Sequence, residues 1–207
     1  MLAGLIPAGG NSQRMGRPKL TLPWGESTIL AQMVQTLRKS GVDPVLVVLG
    51  PHLSFLDADV KNVGARSLLL DRPTADMRET VLQGLNWLQE SENPRQEDAW
   101  LLVPGDHPLM DESVVRALRE SWEQNPGKSI FVPTHEGRRG HPVLFGWEHA
   151  GRICALPADQ GLNTYIRREA NALLEVPVSS PFVLLDIDTP QDYQKAREAF
   201  ESGKPQS

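Results

Sequence analysis

The sequence predicts an α/β protein built on a mostly parallel sheet. Short apolar runs rich in Leu, Val and Ile alternate with amphipathic segments of roughly 10–15 residues, the pattern of βαβ units. Several runs are continuously apolar, as strands covered on both faces are. Glycine turns and acidic residues follow these runs directly, at the carboxyl ends of strands where such sheets bind ligands.

The elements follow in order. LAGLIPA reads as a buried strand. In STILAQMVQTLRKSG, Ile29, Leu30, Met33, Val34 and Leu37 recur at helical spacing, with Ser27/Thr28 as the start and Gly41 as the stop. PVLVVLG and ARSLLL are strands. TADMRETVLQGLNWLQE is an amphipathic helix through Val81, Leu85 and Leu88. SENPRQED, residues 91–98, is a polar surface loop, and AWLLVPGD is a strand ending in a sharp turn. DESVVRALRESWEQN is a helix, KSIFVP a strand, HPVLFG a short strand, GLNTYIRREA a short helix and LLEVPV a strand. FVLLDID is expected to be the last strand, and TPQDYQKAREAFES the closing helix, with Thr189 as cap, Pro190 in the first turn and Asp192 as capping-box acid.

The chain has 207 residues, and about 100–200 residues make a domain, so one domain is expected over 1–200, with 201–207 an unstructured tail. A net charge of −5 argues against nucleic acid as partner, although a local basic loop still suits a small anion. The lone Cys154 excludes an intrachain disulfide and a cysteine-based zinc site, and fits a reducing compartment. No signal-peptide pattern is seen, and no apolar run approaches the roughly 20 residues of a membrane span. A cytoplasmic protein with no membrane partner is therefore expected.

The first strand runs into AGGNSQRMGRPK. Adjacent glycines let backbone N–H groups curl into an anion-binding nest. Arg14 can hold a phosphate bidentately, and Lys19 can act as a point charge on another oxygen. The spacing matches neither G-x-x-x-x-G-K-[ST] nor G-x-G-x-x-G. The same residues also suit a plain glycine turn with solvated charges, and chemistry alone weighs the two equally.

The acids divide similarly. Asp106, in the Gly-Asp-His-Pro turn, is either a turn aspartate or a ligand for Mg²⁺, which takes one or two carboxylates beside phosphate oxygens. Asp186 and Asp188, two apart on the expected strand, would share one face and repel unless a cation lay between them.

These motifs carry a resemblance. AGGNSQRMGRPK resembles the A-G-G-x-S-x-R-M-G-x-x-K signature of the MobA-like nucleotidyltransferases, the molybdenum-cofactor cytidylyl- and guanylyltransferases and their relatives. GDHP resembles the family's G-D-x-P, LLDIDTP its closing D-x-D-T-P, and RRGHPVLFG the G-x-G-H-P-V-L-F of the cytidylyltransferase branch. The likeness extends from residue 5 to about 195, dense in these motifs and loose between them.

The resemblance implies a three-layer α/β/α, Rossmann-like fold of the nucleotide-diphospho-sugar transferase type, with a mostly parallel mixed sheet. It implies transfer of NMP from an NTP to a phosphorylated acceptor, foremost molybdopterin or its molybdenum-loaded form, with release of pyrophosphate and with CTP favoured over GTP. Mg²⁺ would be the cofactor and a molybdoenzyme a further partner. Ala8, Gly9, Gly10, Asn11 and Thr80 would meet the nucleotide, and Arg14 and Lys19 its phosphates. Asp106 and Asp188 would hold the metal, with Asp186 behind them. Gly140, His141 and Pro142 would line the acceptor pocket, although His141 serves equally well to shape its turn. Arg138 and Arg139 suit an acceptor phosphate or plain solvation. His135 and His141 lack a third ligand at zinc spacing. The clearest departure is at Arg78 and Glu79, where the family has small serines. Two other readings remain: the same chemistry on a sugar phosphate or another phosphorylated alcohol, and a non-catalytic nucleotide- or cofactor-binding partner.

Overall fold

A computed structural model of the chain describes residues 1–9, 18–105, 107 and 111–202. The Gly10–Arg17 stretch, Asp106 and the 203–207 tail lie outside the described residues, and with them the expectations placed on Gly10, Asn11, Arg14 and Asp106. Strand β1 (Leu2–Ala8) leads to a 3₁₀ turn (Lys19–Thr21) and a small hairpin of β2 (Pro23–Trp24) and β3 (Ser27–Thr28). Then come α1 (Ile29–Lys39), β4 (Val45–Leu49), a 3₁₀ segment (Pro51–Leu56), α2 (Asp57–Asn62), β5 (Arg66–Leu69) and α3 (Met77–Glu92). The second half holds β6 (Ala99–Leu102), α4 (Glu112–Gln124), β7 (Ile130–His135), β8 (Arg138–Arg139), β9 (Val143–Gly146), α5 (Glu148–Cys154) and α6 (Leu162–Arg168). It closes with β10 (Leu173–Pro177), a 3₁₀ segment (Pro181–Leu184) and α7 (Pro190–Ser202).

Seven strands of the main sheet follow the order β10-β7-β9-β6-β1-β4-β5, with β8 paired to β7 off this path. Pairings are parallel except those of β9 and β8. The continuous apolar runs have the cause expected of them. Alternate residues of β1, β4 and β6 enter two separate cores: Ile6, Val47 and Leu101 pack on one side, Leu5, Val48 and Trp100 on the other. The first side is covered by α1, α2, α4 and α7, the second by α3, α5 and α6, which gives the three layers. Fully burying a Val or Leu is worth about 1.5–3 kcal/mol, so Val81, Leu85 and Leu88 alone hold α3 firmly on the sheet. Pro7 is tolerated in a central strand because even-numbered β1 residues bond to β4. Its missing N–H falls on the side of β6, which has ended at Leu102.

Capping follows the sequence. Thr28 accepts from the Ala31 N–H at 3.2 Å, and Gly41 leaves α1 at φ +78°. Thr189 and Asp192 form the expected reciprocal cap of α7, which keeps the Asp192 carboxyl below the usual carboxylate range, chiefly through the Thr189 hydroxyl.

Two expectations are corrected. FVLLDID forms no strand: Pro181–Leu184 is a 3₁₀ turn, and the residues after it cross the carboxyl edge of the sheet without joining it. The Val183 carbonyl is occupied by His141 N–H, so the segment bonds to a loop rather than a ladder. The loop expected from residue 91 begins only after Glu92, where Asn93 ends α3 in the left-handed conformation (φ 46°). No described helix is long and apolar enough to cross a membrane.

Away from the carboxyl edge, His149 is wholly buried between Ser129 Oγ (2.8 Å from Nε2) and Tyr165 OH (2.6 Å from Nδ1). Loss of hydration pushes its pKa down, against the opposing pull of the Glu148 and Glu169 carboxylates and with that of Arg152. A depressed histidine pKa contributes stability that is present above the unfolded value of about 6.5 and lost as pH falls through the folded one. His149→Gln is therefore expected to cost about 1–3 kcal/mol at pH 7.5. It should also flatten the decline of chemical-denaturation stability between pH 7 and 5. A variant declining as steeply as wild type would assign that slope to other groups.

Candidate active site

The parallel strands β1, β4 and β6 end at one edge of the sheet, and the antiparallel β9 begins there. That edge gathers Gly9, Gly50, Gly105, His107, His141 and the 181–188 crossing. Gly9 lies against α3: a Cβ there would fall 2.4 Å from Thr80 Oγ1 and 2.6 Å from Thr74 Oγ1. Thr80 is itself buried, its hydroxyl 2.6 Å from Thr74 Oγ1 and 3.2 Å from the Asp76 carbonyl. It thus packs under the start of the glycine loop, with its hydroxyl engaged within the protein.

Arg78 and Glu79, the departures from the family's serines, have structural work to do. Asp76 accepts from Glu79 N–H at 2.8 Å, and Glu79 accepts from Ala75 N–H at 2.6 Å, so Glu79 completes the N-terminal cap of α3. Arg78 donates to the Leu156 carbonyl after α5 and ties the two helices of that layer together.

Lys19, in the 3₁₀ turn after the glycine loop, places Nζ 2.8 Å from Asp188 Oδ1. The lysine side chain is 15% exposed and the aspartate 40%. The cation expected on phosphate and the carboxylate expected on metal thus face each other. Asp188 is held from behind as well, since its N–H donates to Asp192 Oδ2 at 3.2 Å. Asp186 diverges from it: its Oδ1 lies 2.9 Å from His107 Nε2. The two acids do not crowd one cation on a strand face; each meets its own partner, because the crossing is not pleated into the sheet. Ala8 ends β1 nearby with Gly9 after it, and a Cβ on Gly105 would lie 3.7 Å from the Pro7 carbonyl and 3.5 Å from Leu20 Cδ2, which places the turn bearing His107 beside the Lys19 turn.

The Gly140-His141-Pro142 turn fastens the crossing. His141 N–H donates to the Val183 carbonyl at 2.9 Å. A Cβ on Gly140 would stand 2.1 Å from that carbonyl oxygen, so only glycine fits. His141 and Pro142 line a shallow cleft with Val103, His107, Asp111, Val114, Phe182 and Val183, whereas Gly140 lies beneath Val183. Arg139 pairs with Glu175 at 2.8 Å on the exposed edge, and His135 donates from Nδ1 to the Val178 carbonyl at 3.1 Å. Among the described residues no group of three or more His, Cys, Asp or Glu side chains is arranged to hold a metal.

His107 is the residue that sequence reasoning passed over. One histidine in a Gly-Asp-His-Pro turn has no periodic signal; its partners come from segments 34 and 79 residues away.

The model of the MobA-like NTP transferase domain family matches residues 4–173. The molybdenum cofactor cytidylyltransferase of Escherichia coli K12 is 27% identical over 201 residues, covering 95% of each chain. The molybdenum cofactor guanylyltransferase of Pseudomonas syringae pv. tomato is 29% identical over 146 residues, covering 68% of this chain and 64% of its own. A solved Mycobacterium tuberculosis protein superposes with a TM-score of 0.79 at 24% identity, over 96% of this chain and 98% of its own, and has also been solved in complex with manganese.

Gly140→Ala is expected to lower stability by about 1–3 kcal/mol through the overpacked Val183 contact. It should also increase amide exchange across 183–188. Unaltered exchange there would show that the crossing is held by something other than this turn.

Proposed function

The chain belongs to the MobA-like NTP transferase domain family, and from that premise we propose that it moves a nucleotidyl group from an NTP to a phosphorylated acceptor of the molybdopterin type, releasing pyrophosphate. CTP is favoured over GTP because of the GHPVLF segment. The observation that carries the reading is the 2.8 Å approach of Lys19 to Asp188, a cation suited to phosphate beside a carboxylate suited to a hard divalent ion.

An oxygen donor set of Asp188 with Asp106 fits Mg²⁺, and the capped backbone behind Asp188 gives it a steady footing. When bound, such an ion supplies charge neutralisation and orients the α-phosphate. The protein's own residues do the rest. Backbone N–H groups from Gly9 through Gly10 and Asn11 hold the triphosphate, with Ala8 ending the strand that carries them and Thr80 supporting Gly9 from beneath. Arg14 and Lys19 take up charge on the leaving pyrophosphate, with Lys19 exchanging Asp188 for phosphate oxygens. A phosphate oxygen of the acceptor attacks the α-phosphorus directly, so no protein nucleophile is required and catalysis rests on positioning and charge. The acceptor lies along the His141–Pro142 side. The family assignment and the E. coli cytidylyltransferase's length-wide similarity support this reading.

The test is pyrophosphate release with each of the four NTPs and Mg²⁺, with and without molybdopterin. Release with CTP that requires molybdopterin is expected. Release with hexose 1-phosphates instead would move the acceptor to a sugar phosphate, and tight NTP binding without turnover of either would make the protein a nucleotide carrier. Asp188→Ala should fold normally and lose about 3–4 kcal/mol of transition-state stabilisation, a rate loss of roughly 10²–10³. Near-normal turnover in that variant overturns the assignment of Asp188.

A further inference from the structure

His107 is 6% exposed, and it touches two other segments of the site. Its Nε2 lies 2.9 Å from Asp186 Oδ1, and its ring meets the His141 ring edge-on, with centroids 4.7 Å apart. His141 is anchored in turn by its N–H on the Val183 carbonyl. One side chain thereby joins the turn after β6, the turn before β9 and the 181–188 crossing. Asp186 has a side chain 61% exposed, so its pairing adds little to stability. The value of the contact lies in where it holds the chain. Ile187 is wholly buried, so residues 186–188 are fixed at their midpoint. The His107–Asp186 contact and the buried Ile187 together set the path of the backbone that enters Asp188.

We propose that His107 is a positioning residue: through Asp186 it sets the place from which the Asp188 carboxylate meets the divalent cation. This rests on the reading of Asp188 as a metal-holding residue. A partner bonded directly to a metal-holding side chain is worth about 10–100-fold in metal affinity, and a contact acting one residue away belongs at the lower end of that range. The role differs from packing because it runs through an exposed carboxylate whose removal leaves no cavity.

The experiment measures Mn²⁺ binding by electron paramagnetic resonance in the presence of CTP without acceptor. CTP affinity in EDTA and thermal stability are recorded alongside. His107→Ala and Asp186→Ala should each weaken Mn²⁺ binding about 10-fold. The double variant should be no worse than either single one, and His107→Gln, whose amide reaches the same carboxylate, should recover most of the loss. CTP affinity in EDTA should stay within about twofold of wild type in all of them, which a merely structural role would not predict. Should His107→Ala fail to fold, Asp186→Ala carries the test alone. Wild-type Mn²⁺ affinity in Asp186→Ala, or additive losses in the double variant, overturns the proposal. Asp188→Ala separates the two readings. If it leaves Mn²⁺ binding intact, the metal assignment itself falls. If it weakens binding while Asp186→Ala does not, only the positioning role falls.

Discussion

The candidate site depends on a close approach between two stretches of backbone. Segment 181–188 can cross the carboxyl edge of the sheet only because residue 140 has no side chain, leaving room for the Val183 carbonyl. Once that carbonyl is seated on His141 N–H, the residues after it emerge over the ends of β1 and β6. There Asp186 reaches His107 and Asp188 reaches Lys19. Had the segment paired as one more strand, strict alternation would have sent both acids the same way.

The contact between Lys19 and Asp188 suits a site that must open to charged ligands. A partly exposed ion pair contributes roughly 0–1 kcal/mol, because water competes for both partners. It keeps cation and carboxylate in register at little cost to their later separation. The rigid features lie around it instead. Asp188 is capped from behind by Asp192, Ile187 is buried beside it, and Gly9 rests on the Thr74–Thr80 pair.

Much of this was legible along the chain. The apolar runs announced strands covered on both faces, and the two cores on opposite sides of the sheet are the reason those runs do not alternate. Thr28 and Thr189 cap the helices they were expected to start, and Asp76 and Asp111 cap α3 and α4 in the same way. The last apolar run misled, because FVLLDID has the composition of a strand, yet its carbonyl at Val183 is already committed to a loop. Arg78 and Glu79 stood out as charged residues where small serines were expected, and in the fold they serve as a tether and a cap. The small hairpin of β2 and β3, with α2 and α5, carried too few residues for any period to show.

The sequence by itself determined the longer strands and helices, and that glycine, lysine and acidic residues would follow the strand ends. Those properties arise from neighbours three, four or two residues apart, so consecutive residues suffice to reveal them. Only the tertiary structure decided which acid meets which partner. Lys19 and Asp188 are separated by 169 residues, and Gly140 and Val183 face each other across two loops. Such meetings depend on the strand order that sets β9 antiparallel between β6 and β7, and no local pattern encodes that order.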